Sequence, residues 1–250
     1  MSPFWVTAFL DNAAAHHHAS VGFWQDVTGY AVSAPRGDDG EFATLLPPDG
    51  DAYLRVQRRH QGGDRIHLDL HVPDPQAAAR SAVAAGATLV VDRGYVVMAS
   101  PGGFVFCFVP SPASVRPRAT EHGRGSASRV RQVALDVPPA AYRTELGFWT
   151  ALTGWAQRAS SVSDDFRFLV PPADHDQNRD QPLRLLLQRL GEADASRAVR
   201  AHLDWGTTDR AAETERHLGL GAHVLAVHPH WTVLRDPVGR VYCLTDGDPT

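Results

Sequence analysis

The chain has 250 residues, 43% hydrophobic and 21% charged, with a formal net charge of −4 and a pI near 6.3. This is a globular balance without the clustered excess of positive charge that nucleic acid requires, and no apolar run approaches the roughly 18 residues that span a bilayer. All 24 basic residues are Arg, which excludes a lysine Schiff base, a lysine general base and a phosphate-loop lysine.

The opening "MSPFWVTAFLDN" lacks a basic stretch followed by a long apolar core, so no secretion leader is expected and the default compartment is the cytoplasm. "WVTAFLD" (5–11) reads as a strand. A helix follows over "AAAHHHASVGFWQDVTG" (13–29) and stops at Gly29, where a glycine suits a left-handed C-terminus. Phe23 and Val27 are four apart and give it an apolar stripe. His16, His17 and His18 are consecutive, so on a helix they point about 100° apart and do not chelate together. Three strand-like runs come next. The pattern restarts with "RIHLDLHV" (65–72), a helix over 75–85 capped by Asp74, a turn at Gly86, and strands up to "FVFCFV" (104–109).

"SPASVRPRATEHGRGSAS" (111–128) has no apolar period and reads as a linker. The rhythm then repeats. "VRQVALDV" (130–137) is a strand, and "AAYRTELGFWTALTG" (140–154) is a helix ending at Gly154, with Phe148 and Leu152 on its stripe. "RAHLDWGTTD" (200–209) restarts the second unit, with Asp209 as the cap of the next helix.

The halves align. "FWQDVTGY" (23–30) matches "FWTALTGW" (148–155), and "EFATLL" (41–46) matches "DFRFLV" (165–170). Gln57 lies over Gln188, and His67 with Asp69 lies over His202 with Asp204. "AAGATLV" (84–90) matches "GLGAHVL" (219–225), and "SPGGFVFCFV" (100–109) matches "DPVGRVYCLT" (236–245). Domain one is therefore expected over 1–110, the linker over 111–128 and domain two over 129–246. Each half reads as βαβββ followed by βαβββ, an α+β arrangement.

This order, with "FW…TGY" in the first helix, "LxxQR" before "HLDL" and a final "DPxGxxxCL" strand, resembles the vicinal oxygen chelate superfamily in its glyoxalase-like branch. The resemblance implies two glyoxalase/bleomycin-resistance-type cups in one chain, with helices outside and a concave face that holds a small molecule, often on a divalent metal. It also implies ligands of the set His, Glu or Gln, His, Glu. Against that set, domain one offers Thr7, Gln57, His67 and Val105, and domain two offers Gln132, Gln188, His202 and Val241. Two of four positions lose their usual ligand in each half. Two neutral groups compensate a divalent charge poorly, so the expectation is no resident cofactor. A divalent ion is the alternative, with His67 and Gln57, or His202 and Gln188, as its donors.

Strand parity places His67, Asp69 and His71, and likewise His202 and Asp204, on the concave face. Each His–Asp pair is either an acid–base pair or a satisfied polar pair, the histidine bonded to Gln57 or Gln188 on the neighbouring strand. Cys107 and Cys243, with no C-x-x-C spacing, read as buried reduced thiols on that face. Arg55 and Arg59 share the side of Gln57, whereas Leu186 replaces Arg55 in domain two. Tyr95 and Trp231 correspond and either line the mouth of the cup or brace its loop. The concave positions Phe9, Val105, Cys107 and Val109, and Ala134, Val241 and Cys243, make both cups fairly apolar. The leading expectation is a binding protein for a small, partly apolar or aromatic molecule, contacted by Arg55, Gln57, Tyr95, Cys107, Gln132, Gln188 and Trp231. The rival is a lyase, isomerase or other enzyme using His67, Asp69, His202 and Asp204.

Overall fold

The structure is a computed structural model that describes residues 2–92, 94–123, 125–171, 180–194 and 196–249. The first half contains β1 (Trp5–Ala13), α1 (His17–Thr28), β2 (Ala31–Val32), β3 (Phe42–Leu46) and β4 (Leu54–Arg59). It continues with β5 (Arg65–His71), α2 (Pro75–Ala84), β6 (Thr88–Asp92), β7 (Val96–Ala99) and β8 (Val105–Val109). A two-residue strand, β9 (Thr120–Glu121), precedes the second half. That half contains β10 (Ala127–Val137), α3 (Tyr142–Thr153), β11 (Ala156–Ala159), β12 (Phe166–Val170) and β13 (Arg184–Arg189). It ends with β14 (Arg200–Thr207), α4 (Arg210–Gly219), β15 (His223–Val227), β16 (Trp231–Arg235) and β17 (Val241–Thr245). The expected α+β fold of tandem βαβββ modules is present. No helix is long and apolar enough to cross a membrane among the described residues.

The two sheets have the same strand order, β2-β3-β4-β1-β5-β8-β7-β6 and β11-β12-β13-β10-β14-β17-β16-β15, with β9 added beside β10. β9 lies inside the stretch that reads as a linker. It pairs with the start of β10 through Glu121 opposite Ala127 and Thr120 opposite Ser128.

Local signals act as their chemistry dictates. Gly29 and Gly154 close α1 and α3 at φ 70° and 67°, where a side chain would be strained. Asp74 and Asp209 accept the backbone N–H of Ala77 and Ala212, capping α2 and α4. One boundary differs from expectation. β1 runs to Ala13, so α1 begins at His17, because Asp64 accepts both the Ala13 N–H and a His16 ring nitrogen and holds the strand end.

By compactness the chain divides into two units, each taking one module from each half. The first comprises Met1–Ala8, Ile66–Val115 and Val133–Ala201, and the second comprises Phe9–Arg65, Arg116–Gln132 and His202–Thr250. In the first unit Phe104 and Phe106 meet Trp149 at 6.0 and 5.3 Å between ring centroids. In the second, Trp24 stacks on Trp205 at 6.3 Å and meets Tyr242 edge-on at 5.5 Å.

These two cores satisfy equivalent buried donors in different ways. In the second unit Asp236 alone accepts three N–H groups, from the Trp24 indole (3.1 Å), Val238 (3.0 Å) and Arg240 (2.8 Å). The corresponding donors in the first unit are the Trp149 indole, Gly102 and Phe104. There Ser100 replaces the aspartate and accepts only from Phe104 (3.1 Å). Glu145, on α3 where α1 has Ser20, accepts the other two. Burial raises the Glu145 carboxyl above its usual range despite bonds from Gly102, Ser100 and Trp149. The acid has changed place while the donors stayed.

Candidate functional site

β5 and β8 run parallel, with Leu68 opposite Phe106, Asp69 opposite Cys107 and Leu70 opposite Phe108. Strand alternation sends Phe106 toward the aromatic core at Phe148 and Trp149. The other parity gathers His67, Asp69 and Cys107, whose ligand-type atoms all lie within 4.8 Å of one another. All three are buried. His67 Nε2 is 3.7 Å from Asp69 Oδ1, beyond ordinary hydrogen-bond length.

His71 continues the same face and has a settled role. Its Nδ1 lies 2.7 Å from the Ser111 carbonyl and its Nε2 lies 2.9 Å from Thr7 Oγ. The carbonyl only accepts, so Nδ1 carries the proton and Nε2 accepts from the Thr7 hydroxyl.

The second half repeats the cluster. β14 and β17 are parallel with Asp204 opposite Cys243, and His202, Asp204 and Cys243 again have ligand-type atoms within 4.8 Å. His202 Nε2 is 3.3 Å from Asp204 Oδ1. Gln132 donates from Nε2 to the other oxygen, Asp204 Oδ2. Asp204 is 4% exposed, and its Oδ1 has no hydrogen-bond partner. A buried carboxylate oxygen without a donor is costly unless something else meets it.

The remaining candidates are distributed as follows. Gln57 sits opposite Phe42 and Gln188 opposite Phe166, so strand register makes them equivalent. The strand order puts β1 between β4 and β5, and β10 between β13 and β14. Gln57 and Gln188 are therefore not on the strand next to His67 or His202, contrary to the expected neighbouring-strand hydrogen bond. The Arg55 guanidinium lies 5.7 Å from the centre of the Phe9 ring, a cation–π contact. Tyr95 is exposed. Trp231 stacks on His228 with centroids 4.5 Å apart. Neither cysteine is in a disulfide. Sequence parity places Cys107 and Cys243 on the histidine face, but their position opposite the aspartates depends on the β5–β8 and β14–β17 register, which no local pattern carries.

A cavity of about 900 Å³ lies elsewhere, along α4 among His122, Asp209, Arg210, Glu213, Arg216 and Asp246. Several of its polar groups are engaged with one another, while His122 Nε2 is buried without a hydrogen-bond partner. Glu213 accepts from Ser126, Ser128 and Arg216. Burial opposes the Glu213 carboxylate, but bonds from His217, Arg216 and Ser126 outweigh it and hold the carboxyl well below its usual range. Burial, aided by the Arg216 charge, lowers His122 to about 4. This is a structural network tying the start of β10 to α4.

A family model described as a glyoxalase-like domain matches residues 7–109 and again 132–245. No curated protein matches the chain. Solved structures share the fold at low identity. A 4-hydroxymandelate synthase variant from Streptomyces coelicolor is 15% identical, with TM-score 0.65 over 99% of this chain and 94% of that one. A Mn(II)-bound glyoxalase from Novosphingobium aromaticivorans is 17% identical, with TM-score 0.65 over 98% and 81%. The 2,2',3-trihydroxybiphenyl 1,2-dioxygenase of Sphingomonas wittichii is 17% identical, with TM-score 0.61 over 96% and 88%. The ligand set expected from the resemblance does not fit here. Thr7 is bonded to His71, and Val105 and Val241 have no donor atom to offer.

Proposed function

The chain belongs to the glyoxalase-like domain family, and from that premise we propose that each half binds a small, partly apolar or aromatic molecule at its His–Asp–Cys face. In this reading it does so without the family's four-ligand metal centre. The observation that carries the reading is the same polar cluster in both halves, set between apolar strand positions, with valine where the family's last carboxylate would be. Such a face suits a ligand with one polar end and an apolar body. The two cysteines, neither in a disulfide, suit the cytoplasm.

The arrangement also favours a second reading, an acid–base lyase or isomerase. Gln132 fixes the Asp204 carboxylate beside His202, and a carboxylate that orients an imidazole makes a usable proton acceptor.

The test is proton–carbon correlation NMR of histidine-labelled protein titrated with catechol and benzoate. His67→Gln and His202→Gln variants assign the two ring signals. The proposal expects both signals to move with either probe and without added manganese. Signals that stay fixed, or that move only when manganese is added, contradict it.

A further inference from the structure

We propose that the cavity of about 900 Å³ along α4 is a binding site for a small aliphatic amine in its ammonium form. The cavity lies wholly within the second compact unit. None of the His–Asp–Cys residues lines it, so it stands independently of the small-molecule reading of those faces. Its volume is in the usual range for a small-molecule site.

The repeat shows what opens it. Asp74 and Asp209 cap α2 and α4, and a bulge interrupts β6 between Leu89 and Val91 and β15 between Val224 and Ala226. The two helix–strand pairs are therefore equivalent residue by residue. In the first half Gln76, on α2, donates to Asp92, at the end of β6, at 2.9 Å. That bond ties helix to strand. The equivalent residues in the second half are Ala211 and Val227, whose side chains have no polar atom with which to bridge. Both line the cavity, and Val227 is 71% exposed. A tie in one copy has become an opening with an apolar wall in the other, and such a wall accepts an aliphatic body.

Charge selects the ligand's polar end. Asp209, Glu213, Glu215 and Asp246 line the cavity together with Arg210 and Arg216. Each arginine is already matched: Arg210 lies 2.7 Å from Asp246, and Arg216 lies 2.7 Å from Glu213. Asp209 is partly compensated by the helix N-terminus that it caps. Glu215 is left without a matching cation among the described lining residues. At its place α2 carries Arg80, and α2 has no acidic residue over 75–84. The negative surplus belongs to this copy alone, and it favours a cation.

His122 adds an independent observation. It lines the same cavity, and its Nε2 is buried without a hydrogen-bond partner. A buried ring nitrogen is costly unless something meets it. The ring is neutral at pH 7, because burial and the Arg216 charge hold it at about 4. With the proton on Nδ1, Nε2 accepts a hydrogen bond, and an ammonium N–H supplies the donor. Glu215 supplies the countercharge, and the aliphatic body covers Ala211 and Val227.

The experiment uses the full chain with ring-labelled histidine, titrated at neutral pH with hexylammonium chloride and separately with sodium hexanoate at matched ionic strength. His122→Asn assigns the His122 signal. Hexylammonium should shift that signal saturably, and hexanoate should not. Glu215→Arg, which installs the charge that α2 carries, should weaken binding about 5-fold or more. Ala211→Gln combined with Val227→Asp rebuilds the tie between α2 and β6 and should abolish the shift. All three positions are exposed, so the variants should melt close to wild type. The comparison of hexylammonium with hexanoate decides the question on wild type alone. The inference is overturned if hexylammonium leaves the signal in place, since water alone would then serve Nε2. It is also overturned if hexanoate shifts the signal equally, or if Glu215→Arg and the double variant bind as wild type does.

Discussion

The exchange of acids between the two cores makes a sharp prediction about Glu145. Glu145→Ser removes the acceptor for the Gly102 N–H and the Trp149 indole N–H and puts the α1 residue in its place. Trp149 is fully buried. Each orphaned donor costs about 1–3 kcal/mol. Relief of a carboxyl that burial already disfavours offsets part of this, so the expected net loss is about 2–4 kcal/mol. In a chain of this size that lowers Tm by about 5–15 °C. Ser100→Asp then supplies the acid as Asp236 does in the second unit. Alone it should destabilise, because a new carboxylate would face Glu145. In the Glu145→Ser background it should recover at least half the loss. Urea denaturation of the four proteins in this double-mutant cycle gives the coupling. A Glu145→Ser loss below about 1 kcal/mol, or a Ser100→Asp effect equal in both backgrounds, would refute the reasoning.

Other outcomes follow from the same geometry. His122 is depressed to about 4, so its contribution to stability is present above the unfolded histidine value and is lost as pH falls from about 6.5 to about 4. His122→Asn should flatten that limb of a stability–pH profile, and an unchanged limb would count against the assignment. Glu213 is depressed below the usual carboxylate range, so its contribution is present above about 4.5 and disappears in stronger acid. Glu213→Gln should therefore lower stability at neutral pH more than at pH 3, as urea titrations at both pH values would show. Gly29→Ala should cost about 1 kcal/mol or more, and more than Gly154→Ala. Both have positive φ, but only at Gly29 does an added Cβ come within 3.2 Å of another side chain, Thr120. Equal melting shifts would contradict that ranking.

Much of the fold was legible because its signals are local or repeated. Phe23 and Phe148, the glycines at 29 and 154, and the caps Asp74 and Asp209 each state an element within a few residues, and their recurrence states the duplication. The face of His67 and His202 followed from strand alternation. What escaped depends on partners far apart in the chain. Nothing near Glu145 says that Gly102 will need its carboxylate, and nothing near Trp24 names Asp236. The start of α1 shifted because Asp64, about fifty residues on, holds the end of β1. Cys107 was legible as a buried residue on the right face, but its position opposite Asp69 required knowing that β5 and β8 pair in parallel. Gln57 and Gln188 matched each other across the repeat, yet the insertion of β1 and β10 between the relevant strands could not be read from spacing.

The central claim is that the duplicated histidine face holds a small organic molecule without the family's metal. Isothermal calorimetry with catechol, on wild type and on the His67→Gln, His202→Gln and doubly substituted proteins, tests it most directly. Binding of one equivalent per half without added manganese is expected, with one equivalent lost for each substitution and none left in the double variant. Binding that requires manganese, or that survives both substitutions, would contradict the account.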